Sequence, residues 1–295
     1  MKIRPFYVLI AFISLFGCSR IRVKNPTNDF LAAKRIVKLT DKRLEEVSGA
    51  ASSVKNKGKL WVHNDSGNGA EVFLVDTKLN ILLTCNLGID NRDWEDIAVG
   101  PGPERGKSYI YVGEIGDNNA KNQLKYIYRF EEPTWSEGQS SIEITDFDTI
   151  VFQLSDKRKD CETLLLDPNS KDLFIISKRE EPVWMYKLPF PQSTTDTLTA
   201  EKLFSLPFTQ IVAGDVSGDG NRILLKNYEH IYYWKTDKTT SLEELLRKKP
   251  FEIPYEIEPQ GEAIAWARDI SGFYTLSEIN MGKDSFLYFY ETKKR

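Results

Sequence analysis

Glu262-Ala263-Ile264-Ala265-Trp266-Ala267-Arg268-Asp269-Ile270-Ser271-Gly272-Phe273-Tyr274-Thr275-Leu276-Ser277-Glu278 is the stretch that decides the fold. It opens on a carboxylate and runs through a short apolar segment. It then turns at Arg268 to Gly272 and returns through a second apolar segment that ends in polar residues. β-branched, aromatic and leucine-rich runs of this length suit buried strands, and a short polar, glycine-containing connection between them suits a hairpin. A third apolar run, Phe286 to Tyr290, follows.

Outward from this stretch the same plan recurs. Five copies open at Glu46-Val47-Ser48-Gly49-Ala50, Glu95-Asp96-Ile97-Ala98-Val99, Glu162-Thr163-Leu164-Leu165-Leu166, Gly214-Asp215-Val216-Ser217 and Glu262-Ala263-Ile264-Ala265-Trp266. Second strands are read at Leu60–Val62, Tyr109–Val112, Leu173–Ile176, Arg222–Leu225 and Gly272–Leu276. Third strands are read at Val72–Val75, Tyr126–Arg129, Val183–Tyr186, Ile231–Trp234 and Phe286–Tyr290, with fourth strands at Ile81–Leu83, Thr149–Phe152, Lys202–Phe204 and Phe251–Ile253. A repeat of roughly 50 residues carrying four short strands has the length of a propeller blade, and two sandwich domains would not repeat in this way. The sequence therefore predicts an all-β chain forming a single β-propeller, with five blades counted and six as the alternative. The fifth copy lacks a fourth strand, and Arg35-Ile36-Val37-Lys38-Leu39 precedes the first copy unassigned, so this N-terminal strand is expected to close the ring. Only Leu242 to Arg247, capped by Ser241, reads as helix.

The N-terminus carries an address. Lys2 and Arg4 precede an apolar run from Phe6 to Phe16, the plan of an export signal, and the run is too short for a stable span. Leu15-Phe16-Gly17-Cys18 resembles the lipobox of bacterial lipoproteins, which implies a signal peptide over 1–17, cleavage before Cys18 and acylation of that cysteine. Several acyl chains, at about 0.8 kcal/mol per buried methylene, would hold the chain on a membrane. Ser19 follows, which by resemblance to enterobacterial sorting implies the outer membrane, facing the periplasm. Residues 18–30 are polar, with proline, and read as a lipidated tether before a propeller domain over 31–295.

Lysine and arginine number 40 against 43 acidic residues, so the net charge of -3 offers no attraction for nucleic acid. Partners are expected to be the membrane, through Cys18, and a small or polar ligand, with the chain a monomer. Cys85 and Cys161 read as buried free thiols, and with only His63 and His230 a structural zinc site is not supported. Asp215-Val216-Ser217-Gly218-Asp219-Gly220 imitates the start of an EF-hand loop, but Lys226 stands in the twelfth position, so the segment reads as a hairpin.

In an antiparallel meander, the start of the innermost strand lies beside the end of the second, so both converge on one rim. First-strand starts offer Glu46, Asp93, Glu95, Asp96, Asp160, Glu162, Asp215 and Glu262. Second-strand ends offer His63, Asn64, Asp65, Glu114, Asp117, Asn118, Lys178, Arg179, Glu180, Lys226, Asn227 and Glu278. Carboxylates this close raise one another's pKa unless a cation intervenes, and calcium, which takes oxygen ligands, is the natural one. Glu95, Asp117, Asn118, Glu162 and Glu262 are the candidate metal ligands. Asn64, Asp65, Glu114, Asn227 and Glu278 are the candidate ligand contacts.

Asp93-Trp94-Glu95-Asp96-Ile97-Ala98, Gly113-Glu114-Ile115-Gly116-Asp117-Asn118, Glu162 to Glu180 and Gly261 to Glu278 resemble units of esterase-like-phytase propellers and of similar uncharacterised bacterial lipoproteins. The resemblance runs from about Glu45 to Glu291 and implies a propeller, dependent on calcium, acting on a phosphate ester. The better-known members of that family have six blades. The leading expectation is an exported lipoprotein binding a small or extended polar ligand at an acidic channel mouth through calcium. The alternative is a calcium-dependent hydrolase of phosphate or other esters, in which Glu95 or Glu162 activates water and Lys178, Arg179 and Lys226 hold the phosphate. A third expectation is an interaction platform built on outer aromatic residues such as Trp135.

Overall fold

The computed structural model describes residues 25–294. Cys18 and the expected signal segment lie outside these residues. The first strand, β1 (Lys34–Lys38), precedes a blade of β2 (Val47–Ser52), β3 (Leu60–Asn64), β4 (Gly69–Val75) and β5 (Ile81–Asp90). The second blade follows as β6 (Trp94–Pro101), β7 (Ser108–Glu114) and β8 (Lys125–Glu131), then, after the short β9 (Ser141–Glu143), β10 (Asp148–Leu154). The third is β11 (Cys161–Leu166), β12 (Leu173–Ser177), β13 (Val183–Leu188) and β14 (Leu198–Leu206). The fourth is β15 (Ala213–Val216), β16 (Arg222–Lys226), β17 (Ile231–Lys235) and, after the helix α1 (Leu242–Leu246), β18 (Phe251–Ile253). The chain ends with β19 (Ala263–Trp266), β20 (Gly272–Leu276) and β21 (Phe286–Glu291).

Within each unit the strands pair antiparallel in sequence order, so every unit is a meander with its first strand innermost. The innermost strands touch in the cyclic order β2, β6, β11, β15, β19 and back to β2, which makes the molecule a β-propeller of five units among the described residues. Its interior is divided to match. Five apolar clusters each lie between two neighbouring units, such as Tyr111, Ile127 and Phe152 against Leu164 and Ile175 in one seam. Each sheet is therefore apolar on both faces, which explains why the inner strands read as unbroken apolar runs.

The N-terminal strand closes the ring as expected: β1 pairs antiparallel with β21, Arg35 opposite Tyr288 and Val37 opposite Leu287. The segment before it departs from the expected tether. Asn25 to Phe30 run along the fourth and fifth units, with Thr27 N donating to Glu252 O at 3.0 Å and Lys293 N donating to Asp29 O at 2.7 Å. Phe30 is buried between Tyr233 and Phe273, each 5.1 Å away centroid to centroid. Two further pairings were not foreseen. β9, inside the long interval after Glu95, adds parallel to β5, and β10 pairs parallel with β14 to join the second and third units into one eight-stranded sheet.

Cys85 and Cys161 are separate buried thiols. The segment that imitates an EF-hand is a hairpin turn: Asp219 Oδ1 accepts from Ser217 Oγ at 2.5 Å and from Asn221 N at 3.0 Å.

Candidate functional site

Bulges at the starts of the inner strands build the channel mouth. Between Val47 and Gly49, Trp94 and Asp96, and Cys161 and Thr163 the register slips by one residue, leaving Ser48, Glu95 and Glu162 as the unpaired ones. A bulge re-aims its extra side chain, which here leaves the plane of the sheet. In the fifth unit Glu262 precedes the first paired residue, Ala263, and holds the same place. In the fourth, Ala213 is paired with Lys226, so that place belongs to Val212. Glutamate thus recurs in three units rather than four. Glu46, expected to belong to the same set, lies two residues earlier and is level with Asp93 and Asp160.

Two residues expected at the rim are elsewhere. Asp96 is buried in the wall of the ring, where Oδ1 accepts from Ile97 N at 2.9 Å and Oδ2 from Leu164 N of the next unit at 2.9 Å. Asp215 repeats the device, accepting from Val216 N at 2.8 Å and from Trp266 N of the following unit at 2.7 Å. Burial pushes the Asp96 carboxyl well up and that of Asp215 up to about 7, against the opposing pull of these N–H donors. Both side chains tie inner strands together.

What remains at the mouth is a crowded acidic pit. Asp65, Asp93 and Glu95 bring carboxylate oxygens within 4.8 Å of one another, and so do Glu95, Asp160 and Glu162. Lys178 donates to Glu162 Oε1 and lies 3.8 Å from Glu262 Oε1, with its ammonium 5.5 Å from the centre of the Tyr228 ring. Tyr228 donates its hydroxyl to Glu262 Oε1 at 2.6 Å, and Gln260 donates to the other Glu262 oxygen at 3.3 Å. Arg179 pairs with Asp160 Oδ2 at 2.6 Å and donates to Asn118 Oδ1.

The electrostatics follow from burial among like charges. Glu95 is 4% exposed, and burial, then Glu162, Asp65, Asp93 and Glu262, hold its carboxyl well above the usual range. Glu162 stands high because burial outweighs Lys178. Burial lifts Glu278 to about 9, with Glu262 adding to the effect, and lifts Asp65 to about 6. Burial alone would lower Lys178, but Glu162 and Glu262 outweigh it and the net direction is up.

Among the sequence-derived candidates, Glu95, Glu162, Glu262, Glu278, Asp65, Lys178 and Arg179 therefore meet. The others brace loops or seams. Asp117 accepts from Lys121 N and Asn122 N, both at 2.8 Å, and donates its own N–H to Asp160 Oδ1 at 2.8 Å. Asn227 holds a hairpin through Glu229 N and His230 N, Asn64 donates to Arg43 O, and Glu114 faces Arg92 at 3.6 Å. Lys226 is fully buried, donating to Gly261 O and lying 3.6 Å from Glu258, and burial lowers its pKa. Trp135, expected outside, is half-buried and donates Nε1 to Gln139 O at 3.0 Å. Tyr228 and Gln260 were missed, because neither repeats from copy to copy.

No family model and no curated protein matches this chain. Among solved structures, the chain is similar to the Dos1 propeller at 10% identity, covering 88% of this chain and 95% of that one with a TM-score of 0.40. It is also similar to the PQQ-bound aldose sugar dehydrogenase of Streptomyces coelicolor at 9% identity, covering 91% of this chain and 100% of that one with a TM-score of 0.45. Neither likeness bears on a ligand or a reaction.

Proposed function

We propose that the channel mouth binds a divalent cation, calcium by the all-oxygen character of its donors, and through it a small polar ligand. Glu95 carries this reading. It is a buried carboxylate with no hydrogen-bond donor and no cation in direct contact among the described residues, ringed instead by other acids. Such a group is costly unless it is neutralised, and a hard cation with several open positions does so while leaving room for a ligand.

The test is a melting curve. A cation that binds only the folded chain raises stability by about 2.7 kcal/mol at a hundredfold excess over Kd, which for a domain of this size is roughly 5 °C or more. Glu95→Gln is expected to erase the calcium response, yet in chelator to melt at or above the wild type, because it removes a repelled charge. Identical wild-type melting in millimolar calcium and in chelator would sink the proposal.

Hydrolysis of a phosphate ester is a second reading, favoured by Arg179, whose half-exposed guanidinium sits at the mouth beside Asp160. Lys178 and Lys226 are committed to Glu162 and to Gly261 and Glu258. We further propose that acylation at Cys18 holds the propeller on the outer membrane, facing the periplasm. The lipobox-like tetrapeptide supports this, and metabolic labelling with palmitate should mark the wild type and leave Cys18→Ala unmarked.

A further inference from the structure

The two acidic triads at the mouth are not independent: they share one residue. Asp65 and Asp93 with Glu95 straddle the seam between the first and second units, and Asp160 and Glu162 with the same Glu95 straddle the next seam. Glu95 therefore stands between two clefts, its carboxylate within reach of both groups. The geometry points to a pair of divalent cations bridged by Glu95, one in each seam, with Asp65 and Asp93 completing one site and Asp160 and Glu162 the other.

This rests on the cation reading above and goes further in number and arrangement. Three observations support it. The Glu162 side chain is 3% exposed, and while Oε1 accepts from Lys178, its buried Oε2 has no hydrogen-bond partner among the described residues. Glu95 itself accepts from no donor among the described residues. The third is charge. Seven carboxylates, those of Asp65, Asp93, Glu95, Asp160, Glu162, Glu262 and Glu278, crowd the mouth. Against them stand Lys178, Arg179 and, acting on Asp93 from a distance, Lys125 and Arg92. Ionised together, as cation binding requires, these carboxylates leave a surplus of three negative charges, more than one divalent ion neutralises. A carboxylate bridging two ions about 3.5–4 Å apart is also a familiar arrangement for binding oxyanions.

The number of ions bound per chain tests this. Equilibrium dialysis of the full chain against radioactive calcium should give two ions for the wild type. Asp93→Asn and Glu162→Gln should each give one, and Glu95→Gln should lose one ion and weaken the other at least tenfold. One ion per wild-type chain overturns the pair and leaves the single-cation proposal standing, whereas none overturns both. Two ions that survive Glu95→Gln with unchanged affinity overturn the bridge. Manganese replacing calcium in the wild type gives a check that depends on no variant. Bridged ions should show an exchange-coupled electron paramagnetic resonance spectrum, and a plain sum of isolated manganese signals would overturn the bridge.

Discussion

A chain that begins at Thr40 is expected to lose cooperative folding at room temperature, whereas one that begins at Asn25 should melt with the full chain. The segment between these starts does more than add a strand. Its β1 covers β21 with Arg35 laid over the Phe286 ring at 4.1 Å, Leu39 is 1% exposed in the seam between the fifth and first units, and Phe30 fills the seam between the fourth and fifth. Removing a buried leucine or phenylalanine alone costs about 2–5 kcal/mol, so losing both with a strand ladder approaches the roughly 5–15 kcal/mol that holds a whole domain. A start at Phe30 should fall between the two, since it drops the Asp29 to Lys235 ion pair and the contacts of Asn25 to Thr27 but keeps Phe30. Denaturant unfolding of the three chains decides the matter. Equal midpoints for the starts at Asn25 and Thr40 would show that the ring closes without the strap.

The second large effect belongs to Glu132, a fully buried carboxylate just past the end of β8. It accepts from Ser53 Oγ at 2.5 Å, Val54 N at 3.0 Å, Lys55 N at 3.1 Å, Trp61 Nε1 at 2.9 Å and Ser108 Oγ at 2.6 Å. One side chain thus holds the turn between β2 and β3 of the first unit against the second. Glu132→Ala strands five donors and is expected to cost about 3–5 kcal/mol, a fall in Tm of roughly 10 °C, with Glu132→Gln intermediate because one acceptor oxygen remains. Calcium binding at the mouth should survive both changes wherever the chain is folded. A Tm for Glu132→Ala that matches the wild type would show that water replaces the carboxylate at no cost.

The contrast between these residues and the strands shows what a single sequence makes legible. Runs such as Leu173 to Ile176 and Ile231 to Trp234 declare themselves, since a sheet packed on both faces needs apolar side chains at every position. The place of Glu95, Glu162 and Glu262 at the mouth was also legible, because a charge recurring at the start of such runs is visible as repetition. Asp96 and Asp215 were read as rim residues because the string does not show which way a strand-start side chain turns. A one-residue bulge separates the direction of Glu95 from that of Asp96. Glu132 carried no signal at all, as it occurs once and all its partners are distant in the chain or in another unit. Asn25 to Phe30 resembled a tether because they are largely polar, and the backbone hydrogen bonds and the Asp29 to Lys235 ion pair that dock them join residues far apart in the chain.

The perimeter of the ring has a consequence for crowding. Three residues of β9 cover β5, β10 and β14 cover each other, the three-residue β18 is flanked by Asn25 to Thr27, and the outermost β1 carries Lys34, Arg35 and Lys38. Unpaired backbone on an outer strand is a template on which a second molecule can extend the sheet, and short, charged or occupied edges deny it that template. Copies of this chain gathered at high density should therefore slide past one another as separate bodies and resist growth into cross-β aggregates, even while partly loosened at the mouth.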